Sequence, residues 1–210
     1  MIKVLIADDH AIVREGLKQI LAETSEMTVV GEATNGQQVL DFMNKEEFDF
    51  LLLDIAMPGR GGMDTLKQVK RERPKLSVLV LSMYPEEQYA IRALKAGASG
   101  YLTKDSAPEE LISAIKKVAS GGKYVSSSLA EKLVFDLEKS TGEQPLKKLS
   151  DREYQVMLMI ASGKTVKEIA DELLLSVKTI STYRVRVLEK LAMKNNAEIM
   201  HYVIKEGLVK

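Results

Sequence analysis

"FLLLDIAMPG", residues 50–59, decides how the chain is read. Phe50, Leu51, Leu52 and Leu53 form an unbroken apolar run, the pattern of a short strand buried on both faces. The run stops on a carboxylate, Asp54, and a Pro58-Gly59 turn signal follows. Leaving an unpaired carboxylate at the edge of a core is costly, so Asp54 asks for a partner or a purpose.

Working outward, the neighbouring segments repeat the same grammar. Lys3–Ala7 predicts a strand, and Val13, Leu17, Ile20 and Leu21 then recur at helical spacing. Met27–Gly31 predicts a second strand, and Gln37–Asn44 a helix with Val39, Leu40 and Met43 inward. After the 50–53 strand come a helix over 62–72, "SVLVLS" at 77–82, a helix over 86–96 and a strand over 100–102. A last helix begins near Pro108, whose fixed φ and missing N–H suit a first turn. Five strands alternating with five helices predict a doubly wound, five-stranded parallel sheet covered on both faces, an α/β fold.

Past Gly121-Gly122 the alternation ends. "SSSLAEKLVFDLEKS" predicts a capped helix with Leu129, Leu133 and Leu137 on one side, and "STGEQP" at 140–145 has linker chemistry. From Leu149 onward only helices are predicted: 151–161, 166–173, 176–191 and 197–206. This gives a domain over 1–122, a helix-bearing linker over 123–146 and an all-α domain over 147–210.

The chain's 210 residues are enough for two ordinary domains. Its 30 basic and 30 acidic residues balance, but residues 1–144 carry net −4 (18 basic, 22 acidic) and 145–210 net +4 (12 basic, 8 acidic). That asymmetry suits two domains with different partners. Absence of cysteine excludes disulfides, thiolate zinc sites and thiol nucleophiles. "MIKVLIADDH" meets two acids too early for a signal peptide, and no apolar run is long enough to cross a bilayer, so a cytoplasmic protein without a membrane partner is expected.

Ligands of open parallel sheets sit beyond the carboxyl ends of the strands. There the sequence delivers Asp8 and Asp9, Asp54, Ser82 and Lys104. Three convergent carboxylates suit a hard divalent cation such as Mg2+, and a lysine plus a hydroxyl suit phosphoryl oxygens. Taken singly each residue is bland: an aspartate caps a turn and a lysine is solvated, and although His10 beside the acids invites a metal reading, with only His201 elsewhere a structural or surface role is expected. Their joint occurrence at four strand ends carries the reading. A haloacid-dehalogenase-type phosphatase also places an aspartate at a strand end, but needs a second one two residues on, where this chain has Ala56.

"ADDH", "LLLDIAMPG", "VLS" and "YLTKD" in this order resemble the receiver domain of two-component response regulators, a flavodoxin-like fold, over roughly residues 2–120. The resemblance implies Asp54 as phosphoacceptor, served by a partner sensor histidine kinase. It implies Mg2+ held by Asp9, Asp54 and the Ala56 backbone carbonyl, with Asp8 in support. Ser82 and Lys104 would hold the phosphoryl oxygens, and the Tyr101 ring would follow the phosphorylation state. Where many receivers have proline after the lysine, this chain has Asp105.

In the tail, Ser150 and Glu153 have capping-box spacing, and Val156, Met159 and Ile160 share a helix face. Gly163 ends that helix, Ile169, Ala170 and Leu173 face inward on the next, and Ser176 caps a third. Val177, Ile180, Val187, Leu188 and Leu191 are predicted to anchor this third helix. A short helix, a turn and a second helix with a polar, basic front is helix-turn-helix geometry. "LSDRE", "SGKTVKEIADEL", "LSVKTISTY" and "EKL" resemble the LuxR-type DNA-binding domain. By that resemblance the helix from Ser176 enters the major groove of double-stranded promoter DNA. Ser181, Thr182 and Val185 would approach base edges, and Lys164, Lys178, Thr179, Tyr183 and Arg186 the phosphates. Tyr183 and Asn196 stand where many members have His and Arg. The bland alternative is a helical interaction domain whose cations are merely solvated.

Together the two resemblances imply a NarL/FixJ-type response regulator, a non-enzyme beyond slow self-dephosphorylation. When phosphorylated it would form a homodimer, bind promoter DNA and act on RNA polymerase. The rival reading is a phosphorylation-independent DNA-binding or adaptor protein that uses its receiver for protein contacts.

Overall fold

All five residues of the strand at the centre, Phe50–Asp54 (β3), are buried, as the apolar run requires. The computed structural model describes residues 1–126, 129–131 and 145–209. Its chain divides into two compact units, Met1–Leu133 and Val134–Lys210.

In the first unit β1 (Ile2–Ala7), β2 (Met27–Ala33), β3, β4 (Ser77–Ser82) and β5 (Gly100–Thr103) form one sheet. Every pairing is parallel and the spatial order is β2-β1-β3-β4-β5. Helices α1 (Ala11–Ala22), α2 (Gly36–Lys45), α3 (Gly62–Glu72), α4 (Glu86–Lys95) and α5 (Pro108–Ala119) alternate with the strands. Both sheet faces are therefore covered, and strands read as continuous apolar runs because they have no solvent side. Val4, Ile6, Phe50, Leu52, Leu79 and Leu81 pack with Leu17 and Leu21 of α1 and Leu111, Ile115 and Val118 of α5.

Register positions the polar ends. Ala7 pairs with Leu53, Asp54 with Leu81 and Ser82 with Thr103. One step past the last pairs therefore brings Asp8 beside Asp54, and puts Lys104 just past the partner of Ser82. The reversal of strand order between β1 and β3 opens the crevice where such sheets bind ligands.

The second unit contains a short 3-10 turn (Pro145–Lys148) and helices α6 (Asp151–Ala161), α7 (Val166–Leu173), α8 (Val177–Lys190) and α9 (Asn196–Lys205). Ser150 and Glu153 form the expected capping box, and Thr165 with Glu168 forms a second. Helix α6 was expected to bury one face, yet Glu153 through Ala161 are all buried. It packs against α7, α8 and α9. Among the described residues no helix is long and apolar enough to cross a membrane. The expected linker helix lies mostly outside the described residues; of its three leucines only Leu129 is described, and it is buried.

Candidate functional site

β3 carries Asp54 to the sheet's carboxyl edge, where it is 1% exposed. Asp54 Oδ1 accepts from the Ala56 amide at 2.8 Å, and Oδ2 accepts from Lys104 Nζ at 2.7 Å. The same ammonium lies 2.6 Å from Asp8 Oδ2, and its side chain is only 5% exposed. Burial pushes the Asp54 carboxyl above its ordinary range, against the opposing pull of Lys104. For Lys104, burial works to release the proton, but Asp54 and Asp8 outweigh it and hold the ammonium charged.

Asp9 stands apart from the lysine. Its Oδ1 is 3.0 Å from His10 Nδ1. One donor atom from each of Asp8, Asp9, His10 and Asp54 lies within 4.8 Å of the others. Carboxylate oxygens clustered this closely fit a hard divalent ion, which takes a few such ligands and completes its shell with water.

Ser82 is buried, and its Oγ accepts from the Tyr84 amide at 3.0 Å. Tyr101 is fully buried on β5, and its hydroxyl donates to the Tyr84 carbonyl at 2.7 Å. Burial pushes that phenol well above its ordinary range. Ser82 and Tyr101 thus hold opposite polar groups of one residue, Tyr84. Among the described residues every peptide bond is trans, Lys104–Asp105 included.

One neighbour is not evident from the sequence. Arg14 on α1 donates to the Asp8 carbonyl at 2.9 Å and to Glu32 Oε2 at 2.8 Å, tying the end of β1 to β2. His10, expected in a structural or surface role, is 58% exposed and reaches back to Asp8 and Asp9.

In the second unit, Leu174 adopts a left-handed conformation (φ 52°) that ends α7, and Ser176 caps α8 by accepting from the Thr179 amide at 3.0 Å. Lys178, Thr182, Val185 and Arg186 are exposed along α8, while Thr179, Ser181 and Tyr183 are half-buried. Val177 was expected to anchor the helix but is 50% exposed. It occupies the first helical position, ahead of the packed turns. Ile180 and Val187 are buried as expected, and Leu188 and Leu191 are half-buried. Lys164 is paired with Glu172. Arg184 donates to Asn196 Oδ1 at 2.6 Å, which fixes α8 to the start of α9.

Comparison with known proteins agrees with this geometry. Residues 4–116 match the response regulator receiver domain, and residues 147–203 match the luxR family of bacterial regulatory proteins. The chain is 38% identical over 209 residues to the response regulator UvrY of Escherichia coli K12, covering 99% of this chain and 96% of that one. It is 37% identical over 210 residues to the response regulator GacA of Pseudomonas aeruginosa, covering 100% and 98% respectively. Among solved structures it resembles RcsB of Salmonella enterica serovar Typhimurium, bound to the rprA promoter in the presence of the phosphomimetic beryllofluoride. There the TM-score is 0.66 at 30% identity, covering 97% of this chain and 98% of that one. The chain belongs to the two-component response regulators, transcription regulators that join a receiver domain to a LuxR-type DNA-binding domain.

Proposed function

We propose that Asp54 accepts a phosphoryl group from a partner histidine kinase, and that its phosphorylation governs DNA binding by α8. The observation that carries this reading is the buried Lys104 ammonium between Asp54 and Asp8. It offers a fixed cation where a transferred phosphoryl oxygen would sit.

Asp8, Asp9, Asp54 and the Ala56 carbonyl are the groups to hold Mg2+, a choice supported by the oxygen-rich donor set. Bound there, the ion would neutralise charge on the phosphoryl oxygens. Asp54 attacks phosphorus in line, the P–N bond of the kinase phosphohistidine breaks, and an acyl phosphate forms. Catalysis is positioning and charge neutralisation, because little covalent work falls to the protein. Lys104 then transfers its bonds to the new oxyanion, and Ser82 donates its hydroxyl hydrogen. Because Ser82 and Tyr101 meet at Tyr84, moving Ser82 disturbs the chain that links β4 to α4.

For the output unit we infer that Ser181, Thr182 and Val185 face base edges. Lys178, Thr179, Tyr183 and Arg186 contact phosphates, joined by Lys164 once it leaves Glu172. Domains over 1–122 and 147–210, joined by a 123–146 linker, work in the cytoplasm as a phosphorylation-dependent homodimer at promoters, acting on RNA polymerase. A single four-helix module buries too little surface for tight specific binding, which supports the dimer.

The test is phosphorylation by a small acyl-phosphate donor with Mg2+, followed by mass spectrometry. The expected result is one added phosphoryl group, absent from Asp54→Asn. An Asp54→Asn protein that still takes the label places the acceptor elsewhere.

A further inference from the structure

β5 is an edge strand of the sheet, and an edge leaves backbone groups to be paired or covered. The chain covers this one itself. After α5 it turns at Gly121 (φ 89°), and Tyr124 forms a parallel bridge with Gly100, its amide donating to the Ser99 carbonyl at 2.9 Å. Lys123 Nζ donates to the Ala98 carbonyl at 2.8 Å. This close approach demands glycine at 100: a Cβ there would meet the Tyr124 carbonyl oxygen at 2.7 Å and Tyr124 Cβ at 2.9 Å.

Side chains anchor the segment to two different helices. The Tyr124 hydroxyl donates to Glu110 Oε1 on α5 at 2.7 Å, and Lys117 Nζ of the same helix lies 5.8 Å from the ring centroid. The Ser126 hydroxyl donates to Glu86, the first residue of α4. Ser126 also starts the linker helix: its Oγ accepts from the Leu129 amide at 3.1 Å, and its carbonyl from the Ala130 amide at 3.0 Å. Glu86 in turn stands two residues past Tyr84, whose amide is held by Ser82 and whose carbonyl is held by the Tyr101 hydroxyl. Only Pro85, with its fixed φ, lies between, so a displacement of Tyr84 is passed to Glu86.

We propose that Ser126 and Glu86 form a latch: it straps the start of the linker helix to α4 in the unphosphorylated chain, and phosphorylation at Asp54 opens it through Ser82 and Tyr84. Tyr124 stays on β5 and α5 as the pivot. This inference rests on reading Asp54 as the phosphoacceptor, and it adds the contact by which that event reaches the linker. A contact made in one state alone acts in both directions. Whatever opens the latch favours the phosphorylated form, and the phosphorylated form favours opening.

Beryllofluoride with Mg2+ is the probe, on the full-length chain. Glu86→Ala and Ser126→Ala are each expected to bind it roughly three- to tenfold more tightly, because the resting state alone loses a charge-assisted hydrogen bond. Loss of the Leu129 cap is common to both states and cancels. The double variant should bind no more tightly than the tighter single one. In the unsubstituted chain, beryllofluoride is expected to speed amide exchange at Leu129 and Ala130 while the Tyr124 amide stays protected, read by NMR. That measurement needs no variant to fold. Affinity unmoved by either substitution, effects that multiply in the double variant, or exchange at Leu129 and Ala130 that ignores beryllofluoride overturns the latch and leaves the Asp54 site standing. If Asp54→Asn binds beryllofluoride as well as the unsubstituted chain does, the ligand sits elsewhere, and the site and the latch fall together.

Discussion

Lys104 Nζ lies 2.7 Å from Asp54 Oδ2 and 2.6 Å from Asp8 Oδ2, so one ammonium joins the ends of three strands. It is the counter-charge that lets two carboxylates remain buried at the carboxyl edge of the sheet.

Replacing Lys104 with Met strands both acids. Breaking a buried ion pair from one side costs about 3–5 kcal/mol, because the remaining charge has no partner. Urea unfolding of Lys104→Met in a chelator is expected to show a midpoint lowered accordingly. Added Mg2+ should restore part of the loss, since an ion that binds only the folded state stabilises it. A midpoint indifferent to the substitution would mean that the lysine neutralises nothing.

Gly62 opens α3 directly behind the end of β3. A Cβ there would meet the Asp54 carbonyl at 2.1 Å and Ile55 Cα at 2.5 Å, both backbone atoms that cannot swing aside. Gly62→Ala is expected to cost about 1–3 kcal/mol or more through overpacking. It should also slow phosphorylation by displacing the end of β3. Denaturation and phosphoryl incorporation, measured on the same preparation, check both effects.

Strand ends were legible because polarity changes abruptly there: Leu53 gives way to Asp54, and Leu81 to Ser82. Side-chain pairings beyond those ends were not legible, because spacing places backbone and not rotamers. Arg14 reads as one more exposed helix cation until Glu32 and the Asp8 carbonyl are seen to converge on it. Periodicity also misjudged Val177, since an apolar residue in the first turn can project ahead of the packing surface. Burial of Gln155 and Glu153 on α6 was hidden for the opposite reason: a central helix keeps polar residues inside when its neighbours supply partners. Glu153 has Lys190 at 2.6 Å and the Ser150 amide at 2.8 Å.

That pairing predicts an acid limit for the second unit. Burial alone would raise the Glu153 carboxyl, but Lys190 and Ser150 outweigh it and hold it below its ordinary value of 4.5. A group depressed on folding stabilises above its unfolded value and loses that contribution as pH falls through the folded value. Stability should therefore drop as pH falls below about 4.5. Glu153→Gln should be less stable at neutral pH and show a shallower acid limb. Equal limbs for the two proteins would exclude Glu153 as the titrating group.

Tyr101→Phe removes the bond to the Tyr84 carbonyl while keeping the ring. The expected cost is about 0.5–1.5 kcal/mol for each hydrogen bond lost. Ser82 loses its contact with the Tyr101 hydroxyl but keeps the Tyr84 amide. Beryllofluoride affinity should therefore change less than the coupling of that ligand to DNA binding. Titrating DNA affinity with and without beryllofluoride separates the two, and an intact coupling would remove Tyr101 from the switch.

Arg186 is exposed on α8, nearly three turns beyond the Ser176 cap. A cation on a phosphate releases counterions, so each such contact adds close to one unit to the slope of log affinity against log salt. Arg186→Ala is expected to weaken binding to specific and unrelated duplexes alike and to flatten that slope by about one unit. Val185→Ala, its exposed neighbour, carries no charge and should leave the slope alone while altering sequence preference. Fluorescence anisotropy across a salt series distinguishes the two variants: a slope unchanged by Arg186→Ala takes this arginine off the DNA backbone, whatever happens to affinity at a single salt concentration.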